Sequence, residues 1–306
     1  MEWKSNKEFA FTIIDDTDCA SISNVKPIYD YLNSRGLKTT KTVWIYPPRD
    51  GYSGQTLQDV EYLEFLQELR QHGFEIQLHS VGSGSFSREE ILLGLEIFKE
   101  NFGSYPAIQI NHASNPDSIY FGSKRFGRIL NYFMKLLMGE TREFYGDVKE
   151  SEHFWGDAVQ KHILFIRNRI FNGINTLKYD PRMPFREKHK PYSNYWFSSS
   201  DGHTVEEFNQ LISERNVRKL RKQQGLCIVY THFAYGFIGK DGEINGTFKK
   251  NIDFLSSQNG WFVPASEILT YLAKRKDQDY VHQYYLGMVD LRWVFDRLIK
   301  KIRFGR

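Results

Sequence analysis

Two cysteines in 306 residues, Cys19 and Cys227, are too few for a disulfide framework, and the chain is expected to keep free thiols in a cytoplasmic setting. No run approaches the roughly 18 consecutive apolar residues that a spanning helix requires, so any membrane contact is expected to be peripheral. Residues Met1 to Phe9 contain no apolar stretch of the signal-peptide kind. A net charge of only +4, from 41 basic and 37 acidic residues, is too slight to call for a nucleic-acid partner. Internal repeats and low-complexity tracts are also missing, which excludes solenoids and disordered tails.

What is there is an ordinary apolar fraction of 41% and an aromatic fraction of 16%. That is enough for one sizeable core, with rings to spare as platforms for sugars. Runs rich in β-branched and aromatic residues alternate with segments of helical period, the pattern of parallel strands joined by helices. Strands are expected at Phe9–Asp16, Thr39–Tyr46, Phe74–His79, Ala107–Asn111, Ile174–Tyr179, Tyr195–Ser200, Leu226–Phe233 and Trp261–Pro264. Helices are expected between them, including Asp157 to about Arg169 and one near Phe126 to Leu137; Ser87 with Glu90 and Thr204 with Glu207 form capping boxes. The expected fold is a (β/α) barrel of seven or eight mostly parallel strands over residues 1–278, followed by a C-terminal segment at 279–306.

In such a barrel the site lies at the C-terminal ends of the strands. The first strand ends Asp15-Asp16-Thr17-Asp18, three carboxylates within four residues, whose repulsion calls for a cation or a proton. The third ends at His79 and the seventh runs into His232, so three strand ends carry groups suited to metal binding and proton transfer. Capping or turn roles would account for any one of them alone. Asn111 closes the fourth strand facing inward. Asp201, and the aromatic residues Tyr120, Trp155 and Tyr235 on loops at the same end, are candidates for binding substrate.

These pieces in this order resemble the polysaccharide deacetylase superfamily. Phe11–Asp16 is similar to its opening Asp-Asp motif, His79-Ser80 to the start of its His-Ser/Thr-x-x-His motif, and Thr231-His232 to its late histidine motif, with Trp261-Phe262-Val263-Pro264 extending the likeness. The resemblance implies Asp15 as general base, Asp16 and His79 as metal ligands and His232 as general acid. Three departures stand out. Ser83 occupies the place of the second motif histidine, Thr17-Asp18 replaces a glycine, and Asn111 to Pro116 stands where an arginine-proline motif is expected. A related group takes its third ligand from a histidine on another strand, a place His112 could fill.

Three functions follow as expectations. The first is a metal-dependent hydrolase, zinc being the expected ion, that removes acetyl from an amino sugar or polysaccharide precursor. The others are a non-catalytic carbohydrate-binding or assembly protein on the same scaffold and a metal-independent glycoside hydrolase. The segment from Val289 to Arg306 sets Leu291, Phe295, Leu298 and Ile302 at helical spacing, with Arg292, Lys300, Lys301, Arg303 and Arg306 on other faces. Its apolar stripe is expected to dock on the barrel; the other reading is contact with an anionic membrane.

Overall fold

The computed structural model describes residues 2–127, 130–131, 143–276 and 279–304. Eight strands form one sheet: β1 (Phe9–Asp15), β2 (Thr40–Val43), β3 (Glu75–Leu78), β4 (Ile108–Gln109), β5 (Phe165–Phe171), β6 (Tyr195–Asp201), β7 (Leu226–Thr231) and β8 (Gly260–Phe262). All their pairings are parallel. β1 closes a ring of seven, because it pairs with β7 along its whole length and with β2 at its C-terminal end, Ile14 opposite Thr40 and Asp15 opposite Lys41. β8 occupies the space left beside the first half of β1, with Phe9 opposite Gly260. The expected barrel architecture is therefore present.

Helices clothe the ring: α1 (Ile22–Ser34), α2 (Val60–Gln71), α3 (Arg88–Phe102), α4 (Gly156–His162), α5 (Thr176–Tyr179), α6 (Val205–Leu211), α7 (Glu214–Lys222), α8 (Gly246–Ser256), α9 (Ala265–Ala273) and α10 (Gln283–Phe304). α3 begins at the capping box of Ser87 and Glu90, and at its other end Gly103 takes φ of 73°, a left-handed conformation that a side chain would strain. The core lies between ring and helices; Ile28, Tyr29 and Leu32 of α1 and Tyr62 and Leu66 of α2 are fully buried there.

Two expectations shift. The segment read as a helix from Asp157 to Arg169 breaks at His162, and Phe165–Phe171 is a strand; Thr176–Tyr179, expected as a strand, is a single helical turn. Phe165-Ile166-Arg167-Asn168-Arg169 conceals its strand period because both arginines are buried against acidic partners rather than solvated. The helix expected near Phe126 to Leu137 lies for the most part outside the described residues, as does the expected boundary at 278.

Alternation along β1 separates the acidic residues. Asp15 turns toward the helix layer, where it is fully enclosed, 3.1 Å from the Lys41 ammonium. Its carboxylate also accepts from Tyr29 Oη at 3.0 Å and from the Phe233 backbone at 2.8 Å. Burial alone would lower Lys41, but the Asp15 charge outweighs it and holds the ammonium above its ordinary value.

α10 docks with the opposite face from the one expected. Tyr285, Leu286 and Val289 are buried, and beyond them the barrel side of the helix is polar. Asp290 pairs with the buried Arg169, whose Nε donates to it at 2.7 Å, and Asp296 accepts from the Asn172 backbone at 2.8 Å. Arg297 and Lys300 each reach Asp201 at 2.9 Å. Leu291, Phe295, Leu298 and Ile302 instead face solvent, because these four ionic and polar contacts dictate the rotation of the helix.

Removing one partner of a buried pair leaves a bare charge. Asp15→Ala is expected to lower the unfolding free energy by about 3–5 kcal/mol in urea denaturation, and Asp15→Leu combined with Lys41→Met to recover most of it. Equal loss in the single and double variants would contradict a stabilising role of the pair.

Candidate metal centre and catalytic site

The tight turn from Thr17 to Ala20, closed by Ala20 N–H to Thr17 C=O at 2.9 Å, decides which carboxylate reaches the mouth. Cys19 adopts φ of 59° there, a left-handed conformation uncommon for a side chain of this kind, and the backbone N–H of Cys19 donates to Ser53 at 2.7 Å. The turn folds Asp18 back over the ring. Gly54 is required nearby: its φ is 148°, and a Cβ would meet Thr17 O at 3.1 Å and the Trp44 ring at 3.2 Å.

Three imidazoles converge on Asp18. His79 Nε2 lies 3.2 Å from its Oδ1, while His112 Nε2 and His232 Nε2 lie 3.7 and 3.5 Å from Oδ2. Each ring faces a carbonyl or amide oxygen with its other nitrogen: His79 Nδ1 to Ile110 O at 3.2 Å, His112 Nδ1 to Asn115 Oδ1 at 3.1 Å, and His232 Nδ1 to His203 O at 3.4 Å. The Asn115 amide is oriented by Gly84 N–H on its oxygen and by its own donation to Gly82 O, so its oxygen faces His112. A backbone carbonyl only accepts, so Nδ1 of His79 and of His232 donates to it and Nε2 is the nitrogen turned to the carboxylate; His112 Nδ1, also 2.8 Å from Ser114 Oγ, leaves its Nε2 facing Asp18 in the same way.

Electron-rich atoms so arranged are stable only around a cation or added protons. Asp18, His79 and His112 bring ligand atoms within 4.8 Å of one another, and Asp18 Oδ1 is a buried oxygen with no hydrogen-bond partner among the described residues. One carboxylate and two imidazoles held from behind by oxygen acceptors make a donor set that fits a divalent ion. Burial pushes the Asp18 carboxyl up, but His112, His232 and His79 outweigh it and hold the group far below the usual carboxylate range.

Asp16, expected as the ligand, stands beside this cluster. It is 4.0 Å from His79 Nε2 and bound to Arg167, whose Nη2 donates at 2.9 Å. Burial raises its pKa, yet Arg167 and then His79 and His232 prevail and keep it low. The Arg167 guanidinium lies over the Tyr230 ring at 4.3 Å, which locks its plane. Asp15, expected as the base, has no path to the mouth because it is sealed in the helix layer with Lys41.

Ser83 is no ligand but a brace. Its hydroxyl donates to Asp50 at 2.7 Å and sits 3.4 Å from His112 Nδ1. His112 itself turns inward because β4 ends at Gln109, before alternation could send it to the helix side.

The expected substrate contacts divide. Tyr235 stacks on His232 with centroids 4.4 Å apart, at the site. Asn111 clamps the backbone of Ile119 at both ends of its amide, Trp155 is buried and donates to Asp117 O at 2.7 Å, and Asp201 anchors α10. Tyr120 packs against Tyr192 and Trp196, beside a cavity lined by Lys124, Glu187 and Lys190. Residues not anticipated are Asp18 as the central carboxylate, Arg167, Asn115, and Trp44, whose ring is parallel to His79 within 11° at 6.3 Å. Strand alternation gave no signal for Asp18, because it lies past the end of β1 in the Thr17–Ala20 turn.

No protein-family model matches the chain, and no curated protein matches it. Solved structures do. Puue allantoinase superposes with a TM-score of 0.55 at 10% identity, over 90% of this chain and 93% of its own. The putative polysaccharide deacetylase from Mycobacterium smegmatis does so with a TM-score of 0.52 at 11% identity, over 92% and 96%. This chain has their fold. Within that barrel, the His-rich cluster occupies the C-terminal mouth, where folds of this kind place their chemistry.

Asp18→Asn and His79→Ala are each expected to abolish retention of a divalent ion through dialysis, measured by elemental mass spectrometry. Asp16→Asn should keep the ion, and Asn115→Ala should weaken its binding about 10- to 100-fold. Loss in Asp16→Asn with retention in Asp18→Asn would restore the first assignment.

Asp117, in the same loop, supplies a pH test. Its carboxyl is driven by burial to about 8, only partly offset by Asn115, from an ordinary 3.8. The folded state holds a proton that the unfolded chain releases, so stability falls as pH rises from 3.8 through about 8. Asp117→Asn should thus match wild type in melting temperature near the lower value and exceed it near the upper one.

Proposed function

We propose that this protein is a metal-dependent hydrolase that removes acetyl groups from an amino sugar or a polysaccharide precursor. The observation that carries the reading is the convergence of three Nε2 atoms on Asp18. The fold shared with a structure named as a polysaccharide deacetylase, and the motif resemblance around His79 and His232, support it. Zinc is the proposed ion, on the strength of a nitrogen-rich mixed donor set.

Asp18, His79 and His112 would hold the ion, which when bound supplies Lewis-acid polarisation of an acyl carbonyl and acidifies water. Asp16 takes the role of general base in place of Asp15. Arg167 keeps it ionised and fixes its orientation, so it is ready to accept a proton at the mouth. His232, on the other flank, would give a proton to the departing amine or alkoxide through Nε2, with its ring held by His203 O and by the Tyr235 face. Tyr235 and the half-exposed Tyr52, which meets His112 edge-on, offer apolar ring surface to a sugar.

The metal-independent glycosidase reading has less support. It needs two working carboxyls across a cleft, whereas Asp15 is sealed in with Lys41, and Asp16 and Asp18 stand together after one strand rather than on opposite sides of a cleft.

Metal-loaded protein is expected to release acetate from N-acetylated oligosaccharides. Asp16→Asn and His232→Ala should each lower kcat by about 10²- to 10⁴-fold while the ion is retained. Absence of acetate release from N- and O-acetylated glycans by loaded wild type would favour the carbohydrate-binding alternative.

A further inference from the structure

The outward face of α10 is not accounted for by the barrel or by its site. Six of the eleven exposed large hydrophobic residues described in the molecule lie on it: Tyr284, Leu291, Phe295, Leu298, Ile299 and Ile302, from 53% to 86% exposed. At 100° per residue they fall, with Gly287 and Met288, within a sector of roughly 120° running the length of a helix about 33 Å long. Such a stripe on a helix that is otherwise docked is not a packing remainder. The ion pairs of Asp290, Arg297 and Lys300 with the barrel set its rotation, and they turn every acidic residue of the helix inward.

The charges left outside have one sign. Arg292 borders the stripe on one edge and Lys301 on the other, both exposed. An apolar face rimmed by cations suits the boundary of an anionic bilayer, where the side chains enter the acyl region and the cations meet phosphates. A symmetric pairing of two such helices would suit it poorly. In an antiparallel pair each edge of the stripe meets the same edge of the partner, so the Arg292 edge would face the Arg292 edge and the Lys301 edge the Lys301 edge, like charge on like. Crossing the membrane is not at issue, since no helix among the described residues is long and apolar enough to do so.

We propose that α10 is an interfacial helix that seats the protein on anionic lipid through the stripe centred on Leu291, Phe295, Leu298 and Ile302. The helix is anchored at Asn172 and Asp201, at the C-terminal ends of β5 and β6, the same rim from which His79 and His232 project. This inference is independent of the reaction proposed above.

The test is sedimentation of the full-length protein with vesicles of phosphatidylcholine alone or mixed with phosphatidylglycerol. Wild type should sediment with the mixed vesicles and lose binding as salt rises. Phe295→Glu with Ile302→Glu should reduce the partition coefficient by more than about tenfold at unchanged melting temperature. Arg292→Glu with Lys301→Glu should reduce it less and remove the preference for anionic lipid. Failure of wild type to bind mixed vesicles overturns the proposal, as does undiminished binding by the stripe variant. So does a wild-type dimer, seen by light scattering, that the stripe variant splits without any vesicle binding, which would make the face an interface between copies. A large drop in melting temperature in the stripe variant would show that the protein covers this face itself and would overturn it too.

Discussion

The closure of the ring at β1 is the constraint on which the rest of the molecule depends. β1 has to satisfy β7 on one side and both β2 and β8 on the other, and its end is held by the enclosed pair of Asp15 and Lys41. With Asp15 pulled into the helix layer, the chain that follows can only present Asp16 and Asp18 to the mouth. The left-handed residue at Cys19 then tips Asp18 over the centre, where the ends of β3, β4 and β7 deliver an imidazole each. A charged pair that is costly to bury thus dictates which of three adjacent carboxylates are free for chemistry.

The electrostatics of the mouth follow from that placement. Asp16 and Asp18 carry the same charge two residues apart and would repel, yet each has its own counterweight. Arg167 from β5 neutralises Asp16, and the three imidazole rings surround Asp18. The outer partners matter as much as the inner ones, because Ile110 O, Asn115 Oδ1 and His203 O engage the Nδ1 atoms and so aim each Nε2 at Asp18. Ser83, where a second motif histidine would stand, serves in that outer layer by holding Asp50 beside His112.

Much of this was legible in the residues. The alternation of apolar strands with capped helices declares a parallel barrel, and His79 and His232 declare themselves by ending strands. The choice among Asp15, Asp16 and Asp18 did not, because the residues before a strand end and the residues after it obey different geometry. Two-residue alternation sorts Asp15 from Asp16, but only the turn at Cys19, tied to Ser53 by a backbone hydrogen bond, places Asp18. β5 was hidden for a related reason: buried arginines look solvated until their partners, Asp16 and Asp290, come from 151 and 121 residues away.

The sequence by itself determined the strand-helix alternation, the caps that start and stop the helices, and the set of groups able to bind a metal or move a proton. Those are local properties, governed by backbone preference, periodicity and side-chain chemistry. Only the tertiary structure decided which carboxylate pairs with a cation in the core, which faces the imidazoles, and which face of α10 meets the barrel. Each of these is a competition for partners distant in sequence. In α10 the specific ion pairs with Arg169, Asp201 and Glu207 outweighed burial of the apolar stripe, because the barrel's surface there is charged rather than apolar.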